Sequence, residues 1–214
     1  MQKKPIILIG GGGHCRSCID VIEQENVYQV EGILDSSLNA GELIDGYPVI
    51  GNDSLIEELV LAKKSFLITV GQIKTARIRL NIYQNLLQLG ANMATIVSPK
   101  AYVSSRATIG NGSIIMHGAC INAGATTGVN AIINTNALIE HDATIGDHCH
   151  LSTGSIVNGT CVINDQVFIG SGAVIANNIT IAPETIIGAG TIVIKNITDA
   201  GIYAGSPHKK IADG

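Results

Sequence analysis

Ala137-Leu138-Ile139-Glu140-His141-Asp142-Ala143-Thr144-Ile145-Gly146-Asp147-His148-Cys149-His150-Leu151 is the stretch whose spacing decides the fold. Ile139, Ile145 and Leu151 stand six apart, and a small residue lies two places before each of them: Ala137, Ala143 and Cys149. The same beat continues outward to Val103 on one side and Val193 on the other. It covers sixteen positions, of which only Thr127 is not aliphatic. Gly often comes next, as at Gly110, Gly128, Gly146, Gly170 and Gly188. Neither a helix at period 3.6 nor a two-sided strand at period 2 produces such a pattern. A short period held this long marks a solenoid, in which each repeat buries its apolar residue only by stacking on its neighbours. With one hexad per strand and turn, three hexads close a triangular coil, and the run amounts to about five coils.

The beat stops at Asp199, where another aliphatic residue would fall, and a tail follows. Composition agrees with thin, repeated layers: 46% of the 214 residues are hydrophobic, yet aromatics are only 3%, Trp is absent and Gly numbers 25.

Before the repeat the pattern changes. Pro5 to Ile9 is an apolar run fit for a buried parallel strand, four glycines follow, and Cys15 to Glu25 reads as a helix. Val27 to Leu34 reads as a second strand ending at Asp35 and Ser36. Phe66 to Val70 is a third, meeting Gly71, and Lys74 to Leu89 has helical spacing before Gly90. Strand, Gly-rich turn, helix and strand imply a Rossmann-like parallel sheet of doubly wound type. The expected class is therefore α/β plus β-solenoid, with a small α/β domain over residues 1–97 and the solenoid and its tail over 98–214. Pro99 marks the junction.

Gly10-Gly11-Gly12-Gly13-His14 lies between strand and helix, where bare backbone N–H groups and the positive helix end favour a phosphate. Asp35 is placed to accept from a ribose or base edge. Cys15 stands where the dinucleotide fingerprint requires its third Gly, which favours a nucleotide-linked substrate over NAD. The glycines can alternatively serve only a tight turn. In the solenoid, His141 falls two places after a core Ile, at a turn that sends its side chain outward, as a general base requires. A solvated turn histidine is the alternative. His117, His148 and His150 compete with it, and three histidines can also gather zinc between subunits, as in the γ-type carbonic anhydrases; nothing in the spacing demands a metal.

A formal charge of -4 offers no basic surface for nucleic acid. Ile6 to Ile9 is too short for a signal-peptide core or a membrane span, and a cytoplasmic location is expected. Five Cys are then expected as free thiols, with Cys15 and Cys18 as small buried helix residues rather than a redox pair.

A nucleotide-binding α/β unit opened by Gly-Gly-His and joined to a hexapeptide β-helix holding Glu140-His141-Asp142 resembles the PglD/NeuD family of sugar acetyltransferases, over essentially the whole chain. The resemblance implies a left-handed parallel β-helix and a homotrimer with sites between subunits. It also implies acetyl-CoA as co-substrate and no metal, with acetyl transfer to a sugar of bacterial surface glycans. Residue by residue, it makes His141 the base and Asp142 the neighbour that orients it. His150, Gly159, Ser171 and Ala189 match positions that contact acetyl-CoA. Gly12, Gly13, His14, Asp35, Ser36 and Gly71 match the nucleotide-sugar pocket. The tail Gly205-Ser206-Pro207-His208-Lys209 resembles the family's Gly-x-Pro-x-Lys ending, and capping of the open coil is its expected role. The expected acceptor is the amine of a UDP-linked 4-amino-4,6-dideoxyhexose. O-acetylation of sialic acid or a related sugar is the alternative, and a non-catalytic scaffold is the reading from another class.

Overall fold

The computed structural model describes residues 3–205 and 209–212. The strands β1 (Lys4–Ile9), β2 (Tyr28–Leu34), β3 (Leu43–Ile44), β4 (Tyr47–Gly51), β5 (Ser65–Ile68) and β6 (Asn92–Met93) form one sheet in the order β3-β4-β2-β1-β5-β6. Every pairing is parallel except the β3–β4 hairpin. Alternate side chains of a strand face opposite ways. Ile6 and Leu8 therefore meet Cys15, Cys18, Ile19 and Ile22 of α1 (Gly13–Glu25). Ile7 and Ile9 meet Ile56 of α2 (Ile56–Leu61) and Tyr83 and Leu86 of α3 (Arg77–Gln88) on the other side. Burial on both faces is what the unbroken apolar run of β1 encodes.

Several boundaries differ from the sequence reading. Helix α1 begins at Gly13 rather than Cys15, because Gly12 is extended and the Cys15 N–H already closes on the Gly12 carbonyl at 3.0 Å. Helix α3 begins at Arg77 rather than Lys74, since the preceding residues turn in bends between the sheet and the coil. The β3–β4 hairpin and α2 are additions. Asp45-Gly46, with both residues at positive φ, is the two-residue hairpin signal that marks the first of these.

From Ile96 to Val193 the chain forms two-residue strands, each paired in parallel with a strand eighteen residues away: Ile114–Ile115 with Ile132–Ile133, Leu138–Ile139 with Ile156–Val157, Thr144–Ile145 with Val162–Ile163. Three sheets result, the faces of a left-handed parallel β-helix. The second residue of each strand points inward, and Ile121, Ile133, Ile139, Leu151 and Ile163 are fully buried. At the corners from Gly112 to Gly190 the third residue after the inner one is left-handed: Asn136 at φ 57°, Asp142 at 59°, His148 at 57°, Gly154 at 65°. Asn, Asp and Gly tolerate this conformation best. The Gly after the inner residue has a different cause. A Cβ at Gly110 would lie 2.3 Å from the Gly128 carbonyl group of the next coil.

The first residue of each strand points outward, and the three faces differ. One carries Ile96, Ile114 and Ile132, fully buried under α1 and the sheet of the first domain. Ile96–Val97 already pairs with Ile114–Ile115, so the division expected at 97/98 falls just after the first rung of the coil. The second face shows Cys120, Leu138, Ile156 and Val174, half-buried, between exposed Tyr102 and Ile192. The third shows Thr108, Thr126, Thr144, Val162 and Thr180. At the far end, Ile202–Ala204 pairs in parallel with Ile186–Ile187, and Lys209–Ala212 folds back on it antiparallel. Ser206, Pro207 and His208 of the tail motif lie outside the described residues.

Thr127, the one break in the aliphatic ladder, is buried between Ile109 and Ile145 of the neighbouring coils, and its hydroxyl has no hydrogen-bond partner. Replacing it with isosteric Val removes an unsatisfied buried hydroxyl. Thr127→Val is expected to stabilise the chain by about 1 kcal/mol, a rise in Tm of roughly 2–4 °C. Differential scanning calorimetry of the two proteins checks this.

Candidate functional site

The glycine run places its residues for two different reasons. Gly10 has φ 106°, and a Cβ there would sit 2.5 Å from Val70, just after β5, so it is fixed by close packing. At Gly12 and Gly13 a Cβ would meet no atom within 4 Å, and both line a cavity of about 650 Å³. Helix α1 has neither a capping side chain nor an acidic residue in its first turn, so its N–H groups face that space with the positive helix end behind them. Asp35 reaches under the run: its Oδ2 accepts from the Gly11 N–H and its Oδ1 from the Ser37 N–H, both at 2.7 Å. Ser36 instead borders a separate pocket of about 90 Å³ on the far side of Asp35.

The opposite wall belongs to the coil. His14, Gly71 and Gln72 of the first domain meet Asn134, Thr135, His150 and Thr153 across the cavity. The His14 and His150 rings lie 6.3 Å apart. His150 Nδ1 donates to the Gln72 carbonyl at 2.7 Å, which leaves Nε2 to accept from Asn134 Nδ2 at 3.2 Å. Both nitrogens of His150 are thus bonded within the chain, and its ring ties the two domains together. Beneath the cavity Arg79 is buried, donating to the carbonyls of Ile68 and Val70 at 2.8 Å, to that of Asn130 at 3.0 Å, and to the Asn130 side-chain oxygen.

His141 and Asp142 lie elsewhere, on a corner of the coil that does not border the cavity. His141 Nδ1 and Asp142 Oδ2 are 2.9 Å apart, so the carboxylate accepts the Nδ1 proton, which in the neutral ring leaves Nε2 as the acceptor. The ring stands over Gly159 of the next coil, where a Cβ would come within 2.7 Å of Nε2. Both side chains are exposed. Ser171 and Ala189 lie on a different corner from His141: Thr135, Thr153, Ser171 and Ala189 recur eighteen apart along the corner that borders the cavity, with Ser171 Oγ 2.9 Å from Ser152 Oγ. Ser17, Thr69, Gln72, Asn134, Thr135 and Thr153 were not singled out by sequence. The eighteen-residue spacing from Ser171 points back to Thr153 and Thr135, but no signal pointed to Gln72.

The competing histidines are engaged in other ways. His117 Nε2 is 2.7 Å from Asp20 of α1 and its Nδ1 faces the Ser98 hydroxyl, a strut between domains. His148 packs edge-on to Tyr83 at 5.1 Å with Nδ1 at 3.0 Å from Asn130 Nδ2. Among the described residues no group of three or more His, Cys, Asp or Glu side chains is placed to hold a metal ion. Cys15 and Cys18 are buried free thiols, and burial pushes Cys15 up to about 11 and Cys18 higher still. No helix among the described residues is long and apolar enough to cross a membrane.

Burial, the Arg79 charge and His150 lower His14 to about 3; burial, joined by Arg79, lowers His150 to about 4. Below about pH 6.5 the unfolded chain protonates both imidazoles while the folded protein does not, so acid favours unfolding across that window. Tm is expected to fall between pH 6.5 and 4, and His14→Gln/His150→Asn to flatten that slope in thermal melts run at each pH.

The N-terminal domain model of PglD matches residues 5–86. Among curated proteins no sequence matches the chain. Solved structures do. A histidine-to-asparagine variant of perosamine N-acetyltransferase from Caulobacter crescentus, in complex with CoA and GDP-perosamine, is 30% identical over 98% of this chain and 97% of its own, with TM-score 0.92. The acetyltransferase domain of PglB from Neisseria gonorrhoeae, in complex with acetyl coenzyme A, is 29% identical over 98% of this chain and 100% of its own, with TM-score 0.90. WeeI from Acinetobacter baumannii shares the fold at 22% identity and TM-score 0.86 over 98% of this chain and 100% of its own. With an α/β unit set against a hexapeptide coil along its whole length, the chain belongs to the PglD/NeuD-like sugar acetyltransferases of the left-handed β-helix family.

Proposed function

We propose that this acetyltransferase transfers acetyl from acetyl-CoA to the amine of a nucleotide-linked 4-amino-4,6-dideoxyhexose, with His141 as general base, in a cytoplasmic homotrimer that builds bacterial surface glycans. The observation that carries the reading is the cavity between the domains, where an uncapped helix N-terminus suited to a diphosphate faces a polar wall of the coil suited to a sugar. The N-acetyltransferase from Caulobacter crescentus, crystallised with CoA and a GDP-linked sugar, favours an amine as the acceptor over the hydroxyl of a sialic acid.

In the chemistry we infer, the substrate amine attacks the thioester carbonyl carbon. The C–N bond forms as the amine proton passes to His141 Nε2, and the C–S bond then breaks. The imidazolium returns that proton to the departing sulfur, so CoA leaves as its thiol. Asp142 holds the Nδ1 proton throughout and keeps Nε2 aimed outward. The Gly159 N–H, beside the ring, is our candidate donor to the developing oxyanion, a type of contact that contributes a few kcal/mol.

Within one chain the base and the Ser171–Ala189 edge stand on different corners, flanking the apolar face of Leu138, Ile156 and Val174. Three copies with that face turned to a threefold axis would bury it and bring the His141 corner of one against the Ser171 corner of the next. This supports a site shared by two subunits. Ser171 and Ala189 would then line the pantetheine path through backbone contacts. His150, bonded on both nitrogens, would meet the ligands by ring packing alone.

Purified protein given acetyl-CoA and a panel of UDP- and GDP-linked amino sugars is expected to release free thiol with at least one of them. His141→Ala is expected to cost 10²–10⁴ in kcat without loss of fold or assembly. Thiol release with no sugar amine, or an undiminished variant, would remove this reading. Light scattering is expected to give three times the chain mass, and Ile156→Glu to give monomers that lack activity.

A further inference from the structure

We propose that Gln72 is a specificity-determining residue that reads the hydroxyl groups of the hexose, an inference that rests on the nucleotide-sugar reading above. Gln72 is 2% exposed, and neither its side-chain oxygen nor its side-chain nitrogen has a hydrogen-bond partner. A buried carboxamide with free donor and acceptor is a costly thing to leave in a fold. Its position is unusual as well. It forms the partition between the large cavity and a second one of about 140 Å³ lined by Lys74, Thr75, Gln166, Phe168 and Glu184.

The backbone of Gln72 is fixed while its side chain is not bonded. The carbonyl is held by His150 Nδ1, and a Cβ on neighbouring Gly71 would touch His14 Cβ at 3.6 Å. Gln72 is thus joined through His150 to Asn134 of the coil, the wall of the cavity across from the Gly12–Gly13 loop, where we place the sugar end of a nucleotide sugar. Gln72 lines the large cavity itself, so a turn of its unbonded side chain is all that would bring the carboxamide to a bound sugar. A carboxamide offers an N–H and a C=O side by side, and vicinal hydroxyls of a pyranose offer the complementary acceptor and donor. The phosphates and the nucleoside, on the Gly-loop side, need nothing from it.

The test is calorimetric titration of wild type and Gln72→Leu with UDP, GDP and the matching nucleotide amino sugars, together with thermal melts and the KM for acetyl-CoA. We expect Gln72→Leu to weaken the nucleotide sugar about tenfold. Affinity for the free nucleoside diphosphate and the KM for acetyl-CoA should not change, and Tm should hold or rise because an unsatisfied amide is gone. Equal affinity for the nucleotide sugar in both proteins overturns the assignment alone. So does an equal loss for diphosphate and sugar, or a general loss with a lower Tm, which would mark a structural role. A wild-type protein that binds no nucleotide sugar removes the proposed function and this assignment with it.

Discussion

Each inner side chain of the coil is dry only because the side chains eighteen residues before and after cover it. No hexad has a core of its own, so the register must hold from the first rung to the last. It is kept by corners at which one residue is left-handed and by close approach of successive coils at Gly110, Gly128 and Gly146. The reward is a stiff prism with outward side chains at fixed spacing. On such a surface an imidazole can be oriented by its own sequence neighbour: Asp142 is at once the left-handed corner residue and the acceptor for His141 Nδ1.

The first domain uses the prism as its missing layer. Ile96, Ile114 and Ile132, outward-facing on the coil, are as buried as any inner residue because α1 and the sheet lie over them. Polar ties then fix the angle: Arg79 to Asn130, His150 to the Gln72 carbonyl, His117 to Asp20. A buried guanidinium bonded to carbonyls rather than a carboxylate is costly to desolvate. Burial keeps His14 and His150 neutral in the cavity above it, and the Arg79 charge acts in the same direction.

The amino-acid sequence by itself determined the coil, its inner ladder, the corner that carries His141, and the strand–glycine–helix unit before it. Those features are local or strictly periodic, and spacing alone reveals which side chains point inward. Even Thr127 stands out as the one polar member of the ladder. Only the tertiary structure decided that His150 is a tie between domains rather than a free side chain on the coil, that Ser36 borders a different pocket from Gly12, and that Gln72 stands as an unpaired amide between two cavities. The physical reason is that these depend on the angle at which two bodies of different period meet. That angle is set by a few long-range bonds that leave no periodic mark in the chain.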